Sequence, residues 1–301
     1  MRGSAPRWTV SGAPRSSRAA AWSAGRLWGE GGAVAEVLVT GGTGLLGGRV
    51  VAALVRRGHP VRILSRRARD RGGPDGSDGA RLVRGDLASG LGLREAVAGV
   101  EAIVHCASAT GARTPWSLRQ VDVEGTRRLV RAARETGAIA HLGYPSIVGV
   151  DAVPLSYYHA KRAAEEEVVR SGLAWTVGRS TQFHALVLSI LRFLHRGPLV
   201  FVPRGLCVQP VDVAEVAQRL ARAVEAGPGG RIADFGGPEV LGLETLARRY
   251  LRAHARRRAR VVAVPVPGRF ARAVHAGRLL CPGCPTGSVS FSDFLGRGGE
   301  R

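Results

Sequence analysis

The stretch Val37-Leu38-Val39-Thr40-Gly41-Gly42-Thr43-Gly44-Leu45-Leu46-Gly47-Gly48 decides how the chain is read. Its apolar start suits a short buried strand and its glycines suit a tight turn. An amphipathic helix follows over 44–57, with Val50, Leu54 and Val55 at helical spacing. That order aims backbone N–H groups at a helix N-terminus toward a pyrophosphate. Gly41 suits the tight turn, Gly44 lets the backbone approach the phosphates, and Gly47 lets helix and strand pack closely. A glycine-rich turn alone reads equally well as a flexible loop. Here a strand precedes it, a helix follows, and a second strand comes at 61–65, which is the context the motif requires. The stretch therefore reads as a nucleotide-cofactor site built from Gly41, Thr43, Gly44, Leu45, Leu46 and Gly47.

Outward from this unit, short apolar strands at 37–40, 61–65, 81–85, 102–106, 139–146 and 173–178 alternate with helical patterns at 44–57, 89–99, 116–136 and 157–171. Such alternation predicts an α/β fold with a doubly wound parallel sheet and right-handed crossovers. Residues 72–79 are glycine-rich and read as a surface loop. Beyond Thr181 the pattern becomes irregular, with helices near 184–195, 212–226 and 243–256. The expected division is an arm over 1–33, a cofactor-binding domain over 34–180 and a smaller lobe over 181–301. The arm is rich in Arg, Ser, Ala and Gly without periodicity, so it is expected to be disordered or untranslated, with an organellar transit peptide as the alternative.

The 301 residues carry a net charge of +21. Of the 44 basic residues, only Lys161 is a lysine. The charge therefore reads as compositional drift toward arginine, not as a nucleic-acid surface, because no recognition motif accompanies it. The densest run, 248–260, puts Arg248, Arg249, Arg252 and Arg256 on one helix face and Leu243, Leu246, Tyr250 and Leu251 on the other, an ordinary solvated helix. No apolar stretch free of charges reaches membrane-spanning length. The four cysteines make no disulfide framework. Cys281-Pro-Gly-Cys284 lacks the second ligand pair of a metal site and reads as a chance pair in a loop. A reducing, cytoplasmic setting is the expectation.

Thr40-Gly41-Gly42-Thr43-Gly44-Leu45-Leu46-Gly47 also resembles the TGxxGxxG loop of the atypical short-chain dehydrogenase/reductases, in particular the NmrA-like NAD(P)H-binding branch. The resemblance runs from 36 to 295. It includes Arg84-Gly-Asp86-Leu87, Val104-His-Cys106-Ala107-Ser108, Val121-Asp-Val-Glu-Gly125-Thr126, Ser146-Ile-Val-Gly-Val-Asp151, Tyr157-Tyr-His-Ala-Lys161, Thr181-Gln182-Phe183-His184 and Gln209-Pro-Val-Asp212-Val213-Ala214. It implies a Rossmann-type core with a small C-terminal substrate lobe over the nicotinamide end. It also implies adenine contacts from Asp86 and Leu87, and a loop of Cys106, Ala107 and Ser108 beneath the cofactor. Where this fold selects NAD with an acid after the second strand, the chain has Ser65-Arg66-Arg67 and no acid before Asp70, which favours NADP(H) over NAD(H).

Tyr157 and Lys161 stand four residues apart and share a helix face. In reductases of this superfamily such a tyrosine passes a proton to or from the substrate oxygen, and the lysine holds the nicotinamide ribose. An ammonium near a phenol is expected to pull its pKa down from about 10. Ser146 would hydrogen-bond the substrate oxygen, and Gln182, Phe183 and His184 are the candidate substrate wall. Asp122 stands where many relatives have an asparagine. Gly143 and Pro145 sit in the fifth strand where the family usually has apolar residues, and Pro145 removes a ladder donor there and is expected to shift Ser146; Gly178 likewise replaces a large apolar residue in the sixth. Two readings follow: an NADPH-dependent reductase of a small carbonyl or quinone-like substrate, or a non-catalytic NADP(H)-binding sensor, regulator or assembly protein.

Overall fold

A computed structural model of the chain describes residues 36–66, 79–110, 114–255, 258–284 and 286–299. The arm at 1–33, Arg67, Asp70, Arg256 and the loop at 72–78 lie outside the described residues.

Six strands form the expected parallel sheet: β1 (Val37–Thr40), β2 (Val61–Ser65), β3 (Ala80–Arg84), β4 (Ala102–His105), β5 (His141–Ile147) and β6 (Trp175–Ser180). They lie in the order β3-β2-β1-β4-β5-β6. Every neighbouring pair is parallel. Parallel strands are covered on both faces, and their side chains alternate between two cores. Val37 and Val39 join Ile63 and Val104 on one face, while Leu38 joins Leu64, Ile103 and Leu142 on the other. The first face is covered by α1 (Leu45–Arg56), the second by α2 (Leu93–Val97) and by a longer helical segment. That segment is read from sequence as one helix over 116–136. It is instead α3 (Pro115–Leu118), a π-helical stretch Arg119–Glu124, and α4 (Gly125–Thr136). Helix α5 (Ser156–Val169) follows β5 and completes this layer through Ala164 and Val168.

The remainder builds a second core. Helix α6 (His184–Leu194) leads to β7 (His195–Arg196), β8 (Leu199–Pro203) and β9 (Cys207–Val208), then α7 (Val213–Ala226) and β10 (Gly230–Arg231). Next come β11 (Leu241–Gly242), α8 (Leu243–Ala253), β12 (Arg260–Val264), α9 (Arg269–His275) and α10 (Phe291–Gly296). Leu188 and Leu191 of α6 pack with Val200, Leu246 and Phe291 in a cluster separate from the sheet. Two elements return to the sheet: β10 pairs in parallel with β6 at the edge, and Leu220 and Val224 of α7 cover the β1 face beside α1. On α8 the leucines and Tyr250 are buried while Arg248 and Arg252 are exposed, as their periodicity predicts.

Two expectations are corrected. Cys281 and Cys284 are joined as a disulfide, not left as a chance pair. The Cys281 amide donates to Gln209 Oε1 (2.9 Å), tying this turn to the lobe. Strand β5 also runs unbroken through Gly143 and Pro145. It pairs with β4 only as far as Gly143 and with β6 as far as Ile147. Pro145 thus lies past the end of β4, where no ladder bond to that neighbour is lost.

Candidate cofactor and substrate cleft

A cleft of about 1190 Å³ opens above the carboxyl ends of the parallel strands, beside β1 and β4 where the strand order reverses. Open α/β sheets bind ligands at this switch point. The volume exceeds the range of roughly 300–1,000 Å³ common for one small ligand, which leaves room for a dinucleotide and a substrate together.

The glycine turn forms one wall. Gly41 has φ +68°, and a Cβ there would lie 2.7 Å from the Ala107 backbone. A Cβ on Gly47 would collide with the Gly41 carbonyl, so the helix start is pressed directly onto the turn. The Gly44 amide is used by Gly41 O at 2.9 Å. The next amides, of Leu45, Leu46 and Gly47, belong to the first turn of α1 and have no intrahelical acceptor. Exposed Thr43, Gly44 and Leu45 open onto the cleft. This is a cradle of backbone donors without side chains in the way, and it fits a pyrophosphate.

Ser65, Arg66, Asp86 and Leu87 line the adjoining end. Arg66 is exposed at the tip of β2. Asp86 is folded into its own turn, accepting from the Ala88 amide (3.0 Å) and the Ser89 hydroxyl (3.3 Å). Beneath the cleft, Cys106, Ala107 and Ser108 line the floor, and burial pushes the Cys106 thiol up to about 12.

Under that floor runs a polar chain that the sequence reading missed. His105 Nδ1 meets Thr40 Oγ1 at 2.6 Å, and its Nε2 meets Thr126 Oγ1 at 2.9 Å. Thr126 in turn donates to the Asp122 carbonyl. The ring is fully buried, which holds it neutral with a pKa of about 3. Thr40 and His105 are register partners at the ends of β1 and β4, a pairing visible only once the strands are aligned. The chain ends on the Asp122 carbonyl inside the π-helical stretch, and π turns are frequent at functional sites. Here Asp122 is aimed inward: its carboxylate accepts from Ser108 Oγ (2.5 Å) and the Ala109 amide (2.9 Å).

Tyr157, Lys161 and Ser146 all line the cleft, with the Ser146 hydroxyl itself buried. Ser108 Oγ is 3.5 Å from the Tyr157 hydroxyl. Lys161 Nζ donates to Pro145 O (2.9 Å) and sits 4.1 Å from the centre of the Tyr144 ring. The expected depression of the tyrosine does not occur here. Burial first, with Asp122 adding to it, raises the Tyr157 phenol, against the opposing Ser108 hydrogen bond. Burial instead lowers the lysine to about 8, with Asp122, Cys106 and Glu165 opposing. The arrangement offers, on one cleft wall, a phenol held protonated and an amine of lowered basicity.

On the far wall, Gln182 and Phe183 line the cleft. The Gln182 side chain donates to Leu279 O (3.1 Å) and accepts from the Gln209 amide (3.3 Å), so it also braces the wall. His184 is a correction. It is buried away from the cleft, with Nε2 3.0 Å from Val289 O and its ring stacked on Phe294 at 5.2 Å. As the first residue of α6 it faces the second core. Tyr158, next to Tyr157 on the same helix, also lines the cleft.

Residues 41–185 match a family model described as NAD(P)H-binding. Residues 41–185 thus form an NAD(P)H-binding domain, and its relatives include reductases and assembly factors of the atypical short-chain dehydrogenase/reductase group. It is 31% identical over 223 residues to the chloroplastic divinyl chlorophyllide a 8-vinyl-reductase of Oryza sativa subsp. indica, an alignment covering 67% of this chain and 54% of that one. It is 26% identical to the photosystem II assembly factor Ycf39 of Trieres chinensis, over 63% of this chain and 60% of that one. The chain spans about half the length of the curated relatives it matches. Among solved structures, the Escherichia coli NADPH-dependent quinone oxidoreductase QOR2 with NADPH superposes with a TM-score of 0.70 at 17% identity. That superposition covers 88% of this chain and all of QOR2, and it establishes the shared fold. The NAD(P)H-binding domain thus contains the glycine turn, the cleft floor, Tyr157 and Lys161.

Proposed function

We propose that this protein is an NADPH-dependent reductase of a small apolar carbonyl or quinone-like substrate. The observation that carries the reading is the gathering of the glycine turn, Tyr157 and Lys161 around one cleft. When bound, NADPH supplies the hydride. Leu45, Leu46 and Gly47 amides would hold its pyrophosphate, and Arg66 would meet a 2′-phosphate. Tyr157, kept protonated by burial, would give its proton to the substrate oxygen. Ser146 would hydrogen-bond that oxygen, and Lys161 would hold the ribose and steady the developing phenolate. The preference for NADPH rests on Arg66 and on the lack of an acid at the tip of β2. A cytoplasmic setting is supported by the supply of NADPH there and by the free thiols of Cys106 and Cys207, with the Cys281–Cys284 disulfide standing against it.

Purified protein should oxidise NADPH with some member of a quinone and aldehyde panel. Tyr157→Phe should lower turnover about a hundredfold or more while NADPH affinity holds. Equal rates for the variant and wild type would remove Tyr157 from the role. A second reading, a non-catalytic assembly or sensor protein, is favoured by the likeness to Ycf39. It requires NADPH binding without turnover on any acceptor.

Cofactor choice is tested separately. NADPH should bind more tightly than NADH, and Arg66→Asp should reverse the order by repelling the phosphate and accepting from ribose hydroxyls. Equal affinities in the wild type would refute the assignment.

A further inference from the structure

Helix α6 carries three faces where an ordinary surface helix has two. His184, Val187, Leu188 and Leu191 are buried in the second core. Ala185, Ser189 and Arg192, at successive turns, line the cleft. Between these faces a third row is apolar yet exposed: Leu186 (49%), Ile190 (41%) and Phe193 (69%). Residues at this i, i+4, i+7 spacing share one stripe, and the row spans about 10 Å of helix. Leu186 belongs to both surfaces, lining the cleft while exposed at its mouth. The apolar row therefore continues the cleft wall that Phe183, Leu188 and Tyr158 begin inside. At its outer end the Phe193 ring is steadied by Arg196, whose guanidinium carbon is 4.9 Å from the ring centre. Arg192, on the cleft side of the same turn, makes no ion pair with any described residue.

We infer that the cleft takes an anionic amphiphile. Its apolar chain leaves the site over Leu186, Ile190 and Phe193, and its carboxylate or similar group meets Arg192. Exposed apolar surface continuous with a binding groove marks the path of a ligand, and a guanidinium beside it supplies the complementary charge. This deepens the reductase reading and rests on it for the claim that the amphiphile is the substrate. The site itself is measurable without turnover.

The experiment is a calorimetric titration of the NADPH-loaded protein with hexanoate, octanoate, decanoate and dodecanoate, and with the matched primary alcohols. Affinity should rise about twofold for each added methylene, because the chain is covered on one side only and full burial would give about fourfold. The carboxylates should bind more tightly than the alcohols. In Ile190→Asp/Phe193→Asp the rise with chain length should vanish, with unchanged NADPH affinity reporting a folded domain. In Arg192→Ala the carboxylates should weaken to the level of the alcohols. A flat series in the wild type overturns the inference, and so does a slope that survives in the double variant. A flat series with the row binding phosphatidylcholine–phosphatidylglycerol vesicles, or driving self-association, likewise overturns it in favour of a membrane or a second copy. If the series behaves as expected and no acceptor of any chain length is reduced, the amphiphile site stands and the reductase reading falls.

Discussion

Lys161 is the only lysine among forty-four basic residues, and its environment explains why arginine does not serve there. A buried guanidinium stays charged, whereas burial lowers this ammonium to about 8. Lysine is charged below its pKa, so under the proposed mechanism turnover should be level through neutrality and fall as pH rises through about 8. A rate that stays level to pH 10 would separate the lysine charge from catalysis. Asp122 opposes the lowering of Lys161 and adds to the raising of Tyr157. Asp122→Asn should therefore move the alkaline fall to lower pH, while its amide can still bond Ser108 and Ala109. A fall left in place would show that the carboxylate is not coupled to the pair. At this scale the sequence conveys residue types and spacing: Tyr157, Lys161, Ser146 and the glycines reach one cleft as their motifs imply. It does not convey direction. His184 follows Phe183 in the motif yet points into another core, because helix α6 begins there and its first turn faces Phe291 and Phe294. The reversed shift of Tyr157 is likewise illegible, since burial is a property of the assembled fold.

At the scale of elements, strands buried on both faces read as short apolar runs, and β1 and β2 fall where the sequence puts them. The helices are legible from their periodicity. What periodicity cannot carry is a change of hydrogen-bond register inside a helix, and the π-helical stretch Arg119–Glu124 is of that kind. Thr126, which bonds to it, and His105, which bonds Thr126, are far apart in sequence. Nor does local reading reveal that Pro145 is harmless, because that depends on where β4 ends. The glycine turn gives the sharpest test of an element. Gly47→Ala drives a methyl into the Gly41 carbonyl, so the start of α1 must lift off the turn and displace the three free amides. Overpacking of this kind costs about 1–3 kcal/mol. NADPH binding should be lost and the melting temperature lowered. Gly137→Ala, at an open αL position, should lower the melting temperature modestly and leave NADPH binding intact. Unchanged NADPH affinity in Gly47→Ala would show that the turn does not hold the pyrophosphate.

Across the whole molecule, buried polar groups join elements that hydrophobic contact alone would leave free to slide. Glu165 of α5 takes Arg179 of β6 through two hydrogen bonds (2.7 and 3.1 Å), and Arg179 also reaches Asp151. His105 bridges β1, β4 and α4, and His141 of β5 bonds Thr176 of β6 at 2.9 Å. Burial lowers His105 to about 3 and His141 to about 4, and it lowers His184 as well. These rings are neutral in the fold but bind protons near their usual 6.5 once the chain unfolds. The unfolded state then holds more protons between pH 6.5 and about 4, so stability falls as pH falls through that window. Each fully buried histidine should contribute on the order of 1.4 kcal/mol of loss per pH unit once the pH is well below 6.5. The ion-paired carboxylates Asp151 and Glu165 have pKa values below their usual 3.8 and 4.5, so their own loss sets in as pH falls through those usual values, below about pH 5. Denaturant unfolding at pH 7, 6 and 5 should therefore show a progressive decline attributable to histidine. A stability that stays level from pH 7 to pH 5 would mean that these rings are not held neutral in the fold.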